Sequence, residues 1–306
     1  VSSANIEEIG QAMHARLTSL YPICRSITGD GVRQTLAELQ TTIPLVLHEV
    51  PSGTKVFDWT VPDEWNIRDA WIKNSNGQRV VDFQQSNLHV VSYSTPIHAT
   101  MPLSELKSHL HSLPDRPDAV PNLTSYYKEN WGFCLSHNTL NALEDGDYEV
   151  CIDSTLAPGS LTYGELLVPS ESSDEVLISA HICHPSLAND NLSGIVVAAQ
   201  LAAEIALQAK LRYSYRFLFV PASVGVITWL ARNEKRVDRI KHGLVLSGVG
   251  DSGAITYKRS RQGGAEIDRV VEFVLANSDV PHAIQDFSPL GYDERQYCSP
   301  GFNLPV

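Results

Sequence analysis

Apolar residues at Ile6, Ile9, Met13, Leu17 and Leu20 recur every three to four positions, which predicts an amphipathic helix over residues 4 to 20. A second helix is predicted after Gly31, from Val32 to Leu39. From Leu45 to about Ile97 the pattern shortens to β-rich runs such as Lys55-Val-Phe-Asp-Trp-Thr-Val61 and Asn87-Leu-His-Val-Val-Ser-Tyr93. Turn signals at Pro51-Ser-Gly-Thr54 and Asn74-Ser-Asn-Gly77 separate them. Leu113 to Pro121, with prolines at 114, 117 and 121, reads as a connector. Strands are then predicted near Tyr148 to Asp153, Thr162 to Val168, Glu175 to Ala180, Tyr215 to Val220 and Gly243 to Ser247, with helices over Gly194 to Ala209 and Ile227 to Asn233. Uninterrupted apolar strands alternating with helices require cover on both faces, so the expected fold is a three-layer α/β domain with a mostly parallel central sheet. Residues 1–44 and 113–306 are assigned to it, and 45–112 to a small β-rich insertion.

Composition narrows the function without naming it. The chain has 306 residues and a formal net charge of -12, and no Lys/Arg run offsets a charge that repels phosphate backbones, so nucleic acid is excluded as a partner. Five widely spaced cysteines leave at least one thiol unpaired and read as reduced thiols of a cytoplasmic protein. No apolar window is long enough for a membrane-spanning helix. Assembly into a homo-oligomer is compatible with the sequence.

The chemistry concentrates in one stretch. The apolar strand ending at Ala180 runs directly into His181, and ligands bind at the carboxyl ends of strands in open α/β sheets. Asp190 follows nine residues later, in a loop that leads through Ser193-Gly194 into the next helix. An imidazole and a carboxylate joined by a strand-end loop are suitable zinc ligands, but the pair alone equally describes a hydrogen bond bracing a tight loop. His184 is a further candidate ligand, three residues from His181, although Pro185 disfavours helical geometry there. Cys183 is read as packed rather than metallated.

The strand ending in Ala-His, followed by Ala188-Asn-Asp-Asn-Leu-Ser-Gly194, resembles the metal-binding segment of the bacterial leucyl aminopeptidase and glutaminyl cyclase superfamily. That resemblance implies that His181 is a zinc ligand, that Asp190 binds or bridges zinc, and that a cis peptide bond precedes Asn191. A more specific likeness extends over nearly the whole chain. Arg25-Ser-Ile-Thr-Gly-Asp-Gly-Val-Arg33, Val61-Pro-Asp-Glu-Trp-Asn-Ile67, Asn87 to Pro96, Tyr127 to Ser136 and Ser179-Ala-His-Ile-Cys-His-Pro-Ser186 together resemble a bacterial aminopeptidase-like domain family associated with polysaccharide biosynthesis. This implies a peptidase-like domain interrupted by a small β-rich domain but no particular substrate; a small peptide or amide substrate is expected from the zinc-hydrolase chemistry instead.

The chain departs from the active aminopeptidase pattern at several points. Where those enzymes carry adjacent glutamates as base and ligand, this chain has Ala222 and Ser223, which can do neither job. Ser247 stands where the next Asp ligand is expected, with Asp251 four residues on as a substitute, and the family's last His ligand is expected beyond Val306. One zinc ion is therefore expected, and a second is not supported. The run Tyr292-Asp-Glu-Arg-Gln-Tyr297 supplies other candidates: Asp293 or Glu294 as general base, and Arg295 as a bidentate partner for a substrate carboxylate. A solvated charged loop explains that run equally well. Glu165 is a candidate for an α-amino group and Trp131 for a pocket wall, against the plainer readings of a surface carboxylate and a packing residue.

Overall fold

In the computed structural model, residues 3–126 and 128–306 are described, so Tyr127 of the fourth resemblance segment lies outside them. The main sheet has five strands in the order Val46–Pro51, Ser160–Val168, Ser214–Val220, Glu175–His181, Ile240–Val245. The first two neighbouring pairs are antiparallel and the last two parallel. The expectation of a mostly parallel sheet is thus corrected to a mixed one. Ser160–Val168 follows Asp147–Ala157, a strand outside this sheet, through a short turn, so no crossover helix sets it parallel to a main-sheet neighbour.

Alternation along the strands covers both faces. Phe217 and Phe219 pack with Val176, Ile178 and Ala180 against the helices Ser3–Leu20, Asp30–Gln40 and Gly194–Ala206, through Leu20, Val32, Leu36, Leu39, Ile195 and Ala199. Leu218, Val220 and Leu177 face the opposite way, toward Val224, Trp229 and Leu230 of the helix Val224–Asn233. That second face is continuous with a four-stranded antiparallel sheet of order Arg79–Asp82, Glu64–Lys73, Asp147–Ala157, Ile97–Pro102. Two strands cross the expected division of the chain. Val46–Pro51 is the edge of the main sheet, and Asp147–Ala157 is central to the second.

Glycine is required where these layers meet. Gly29 has φ 100°, and a Cβ there would lie 2.2 Å from the Trp65 carbonyl oxygen, so the start of the helix Asp30–Gln40 can sit against the second sheet only without a side chain. Among the described residues no helix is long and apolar enough to cross a membrane.

Candidate metal centre

Every residue of Glu175–His181 is buried, and His181 closes the strand in register with Val220. The chain then leaves the sheet through Ile182, whose N–H donates to the Val220 carbonyl at 3.0 Å. Cys183 is buried, as expected for a packed thiol: its Sγ accepts from the Ala222 N–H at 3.3 Å, and burial pushes its pKa up to about 12. Such a thiol stays protonated at neutral pH.

The returning loop is anchored on the end of Ile240–Val245. The Asn191 amide donates to the Leu246 carbonyl at 2.9 Å, and its oxygen accepts from the Gly248 N–H at 3.3 Å. Ser193 Oγ accepts from the Val249 N–H at 3.1 Å. Asp190 and Asn191 have non-helical torsions, and the bond between them is cis, as the resemblance implies. A Cβ on Gly194 would stand 2.4 Å from the Leu246 oxygen, so this close approach also depends on glycine.

These anchors bring His181, His184 and Asp190 together. His181 Nε2 lies 2.8 Å from Asp190 Oδ1, and His184 Nε2 lies 4.0 Å from Asp190 Oδ2. One donor atom from each lies within 4.8 Å of the others. Burial alone would raise the Asp190 carboxyl, but the hydrogen bond from His181 and the field of His184 outweigh it and hold the group below its ordinary value. Burial lowers the pKa of His184, and only partly do Asp190 and Asp293 oppose this. A deprotonated carboxylate beside a neutral imidazole is the ligand state a divalent cation requires. Two nitrogens and a carboxylate also match the donor types and the number found in zinc sites that keep an open position.

The chain from Gly291 to Tyr297 closes over this cluster. The Tyr292 ring stacks on His181 with centroids 5.3 Å apart and an interplanar angle of 14°. Asp293 is fully buried, and neither of its oxygens has a hydrogen-bond partner among the described residues; His181 Nδ1 is in the same position. Burial lifts the Asp293 carboxyl to about 6, with Glu294 adding to the rise and His181, His184 and a weak contact from the Ser223 hydroxyl working against it. Glu294 pairs with Lys258 and accepts from the Tyr292 N–H at 3.3 Å, so its carboxylate is already committed. Arg295 is exposed and reaches Ser223 Oγ at 3.4 Å. A cavity of about 310 Å³ lies between them, walled by His184, Ser223, Tyr292, Arg295, Tyr126 and Ser92.

Two candidates are not brought to this place. Glu165 is buried between Arg216, Trp229 and His48. Trp131 stacks on His109 with ring centroids 3.7 Å apart and meets Phe133 edge-on. Asp251 is exposed and accepts from the Asn189 amide at 2.7 Å, which braces the loop beside Asp190. Ser247 Oγ is buried without a partner among the described residues. A cleft of about 950 Å³ lined by Tyr21, Asp30, Trp65 and Asn87 touches the metal loop only at Ser186. Sequence reasoning missed Tyr292, whose only signal was its place at the head of the Asp-Glu-Arg run.

Residues 14–306 match the family described as Domain of unknown function (DUF4910). The chain belongs to that family. It is 54% identical over 302 residues to a Clostridium acetobutylicum protein described as a polysaccharide biosynthesis protein with aminopeptidase-like domain, covering 99% of this chain and 69% of that one. A crystal structure described as a peptidase from Clostridium acetobutylicum matches with a TM-score of 0.97 at 53% identity, over 99% of this chain and 72% of that one. A zinc aminopeptidase from Bacillus subtilis matches with a TM-score of 0.62 at 11% identity, over 95% of this chain and 83% of that one, a likeness of fold alone. The DUF4910 chain is thus an aminopeptidase-like domain related in fold to zinc peptidases.

Proposed function

We propose that this chain is a hydrolase of peptide or amide bonds that works with one zinc ion held by His181, His184 and Asp190. The observation that carries the reading is the convergence of these three side chains on one point at the carboxyl end of a buried strand. The fold shared with a zinc aminopeptidase and the name of the Clostridium relative support it. Zinc bound there would polarise the scissile carbonyl and lower the pKa of a bound water. Asp293 is the better-suited proton carrier, because its carboxyl is lifted to about 6 and no cation pairs with it among the described residues, while Glu294 is held by Lys258. Arg295, exposed at the rim of the cavity, anchors a substrate carboxylate.

A second reading, a non-catalytic module that binds a ligand or partner in polysaccharide biosynthesis, is favoured by Ala222 and Ser223, which offer neither a base nor a ligand. Metal analysis and turnover separate the two. The hydrolase reading expects about one zinc per chain, its loss in His181→Ala, and cleavage of aminoacyl or N-acyl amides that Asp293→Asn abolishes and Glu294→Gln retains. Stoichiometric zinc without turnover on any amide would favour the binding module. Absence of zinc from purified protein, with His181→Ala neutral, would sink the metal site.

A further inference from the structure

The first segment of the family resemblance begins with Arg25, a residue to which the proposed chemistry gives no role. Its side chain is 1% exposed, yet no carboxylate lies within ion-pair distance among the described residues. The guanidinium is instead surrounded by neutral acceptors from three parts of the chain. Its Nε donates to the His184 carbonyl at 2.8 Å and its Nη2 to the Pro185 carbonyl at 3.3 Å. Its Nη1 donates to the carbonyl of Leu20, the last residue of the first helix, at 2.7 Å, and lies 3.5 Å from Thr35 Oγ1. Burial pulls its pKa down to about 10, so it stays charged at neutral pH. Placing a charge in the interior without a counter-ion is unfavourable, and packing alone would be met by an apolar side chain. What arginine adds is a planar fork whose donors reach two successive carbonyls while its far side is held on a helix end.

Those two carbonyls belong to the segment that leaves the strand and presents His184 to Asp190. We propose that Arg25 is a positioning residue of the metal centre: it ties the His184–Pro185 backbone to the first helix and so sets where the His184 imidazole stands. The clamp needs no metal, whereas its effect on affinity rests on the zinc reading above. Lysine at this position keeps the charge but cannot reach both carbonyls and the helix end together.

The experiment uses the whole chain with Arg25→Lys, His184→Ala and the double variant. Zinc affinity is measured by competition with a chromophoric chelator, and alkylation rates of Cys183 and Cys134 are read by peptide mass mapping on zinc-free protein. Arg25→Lys is expected to weaken zinc binding about 10-fold, within the range for residues that orient metal ligands, and to change it less than about 2-fold when His184 is already alanine. Cys183, next to His184, is expected to alkylate about 10-fold faster, and Cys134, buried elsewhere, at an unchanged rate. Equal loss of affinity in both backgrounds would make Arg25 a general support rather than a positioner of His184. Unchanged affinity and unchanged Cys183 reactivity in folded Arg25→Lys would overturn the proposal outright. If wild type takes up no zinc, the zinc reading fails while the alkylation rates still decide the clamp. Arg25→Gln, which retains a donor for one carbonyl, replaces the lysine variant if that one does not fold, with the same readouts expected at a smaller size.

Discussion

The main sheet holds two groups of charged and titratable residues, and they are built on opposite plans. Across its middle, Arg216 grips Glu175 through two hydrogen bonds of 2.6 and 2.9 Å and also bonds Glu165, which accepts from Trp229 Nε1 at 3.2 Å and faces His48 at 3.1 Å. Both carboxylates there are engaged by donors. At the carboxyl edge, His181, His184 and Asp190 meet beside Asp293, yet among the described residues His181 Nδ1 has no hydrogen-bond partner and Asp293 has no cation and at most a weak contact to the Ser223 hydroxyl. His181 and Asp293 are as buried as Glu175 and Arg216, while His184 and Asp190 are half-buried, so burial alone does not distinguish the groups. Saturation does: a closed network has no capacity left for a ligand, whereas unspent donors and acceptors around a cluster with room for a cation mark a site.

The sharpest way to break this contrast is to remove the centre of the closed network. Arg216→Met leaves Glu165 and Glu175 buried without their shared cation, which is expected to destabilise the fold by about 3–5 kcal/mol in urea unfolding. Zinc affinity of the folded fraction should remain within about 2-fold, since the network shares no side chain with the cluster. A loss below about 1 kcal/mol would show that the network is not the closed unit described.

The open group predicts the opposite sign. Asp293 titrates near 6 when buried, against 3.8 for an ordinary aspartate, so between those values the native state holds a proton that the unfolded chain has released. Its contribution therefore falls as pH rises from about 4 to about 6 and stays low above that. In chelator-treated protein, Asp293→Asn is expected to raise stability at pH 8 by about 2–3 kcal/mol and to remove that slope. Unfolding curves at pH 4, 6 and 8 test this, and a destabilised variant with the slope intact would mean that the buried carboxylate has a partner after all.

How far each group could be read from the chain follows the same division. His181 was legible because an apolar run ends on it, and Asp190 and His184 because they lie within nine residues of it along the chain. The antiparallel pairing of Ser160–Val168 was not legible, since alternation gives a strand its faces but not its neighbours. Nor was the position of Glu165. Its partner Arg216 is 51 residues away, and no local pattern indicates that the two meet across adjacent strands. Asp293 was visible as a candidate, but its burial and lack of partners depend on how the Gly291 to Tyr297 segment closes over His181.

Glu165 offers the finest test, because it was a sequence candidate for a substrate amine and the structure places it in the closed group. Glutamine keeps an acceptor for Trp229 Nε1 and for Arg216, and Arg216 retains the two hydrogen bonds to Glu175, so Glu165→Gln removes one charge without opening a hole. The expected loss is about 1–2 kcal/mol, in the range of one charge-assisted hydrogen bond replaced by a neutral one. Steady-state kinetics on an amide that carries a free α-amino group should give the same Michaelis constant as the wild type. A tenfold or larger increase in that constant, with unaltered stability, would move Glu165 from the closed group to the open one, because a carboxylate saturated by Arg216, Trp229 and His48 has no oxygen left for an ammonium group.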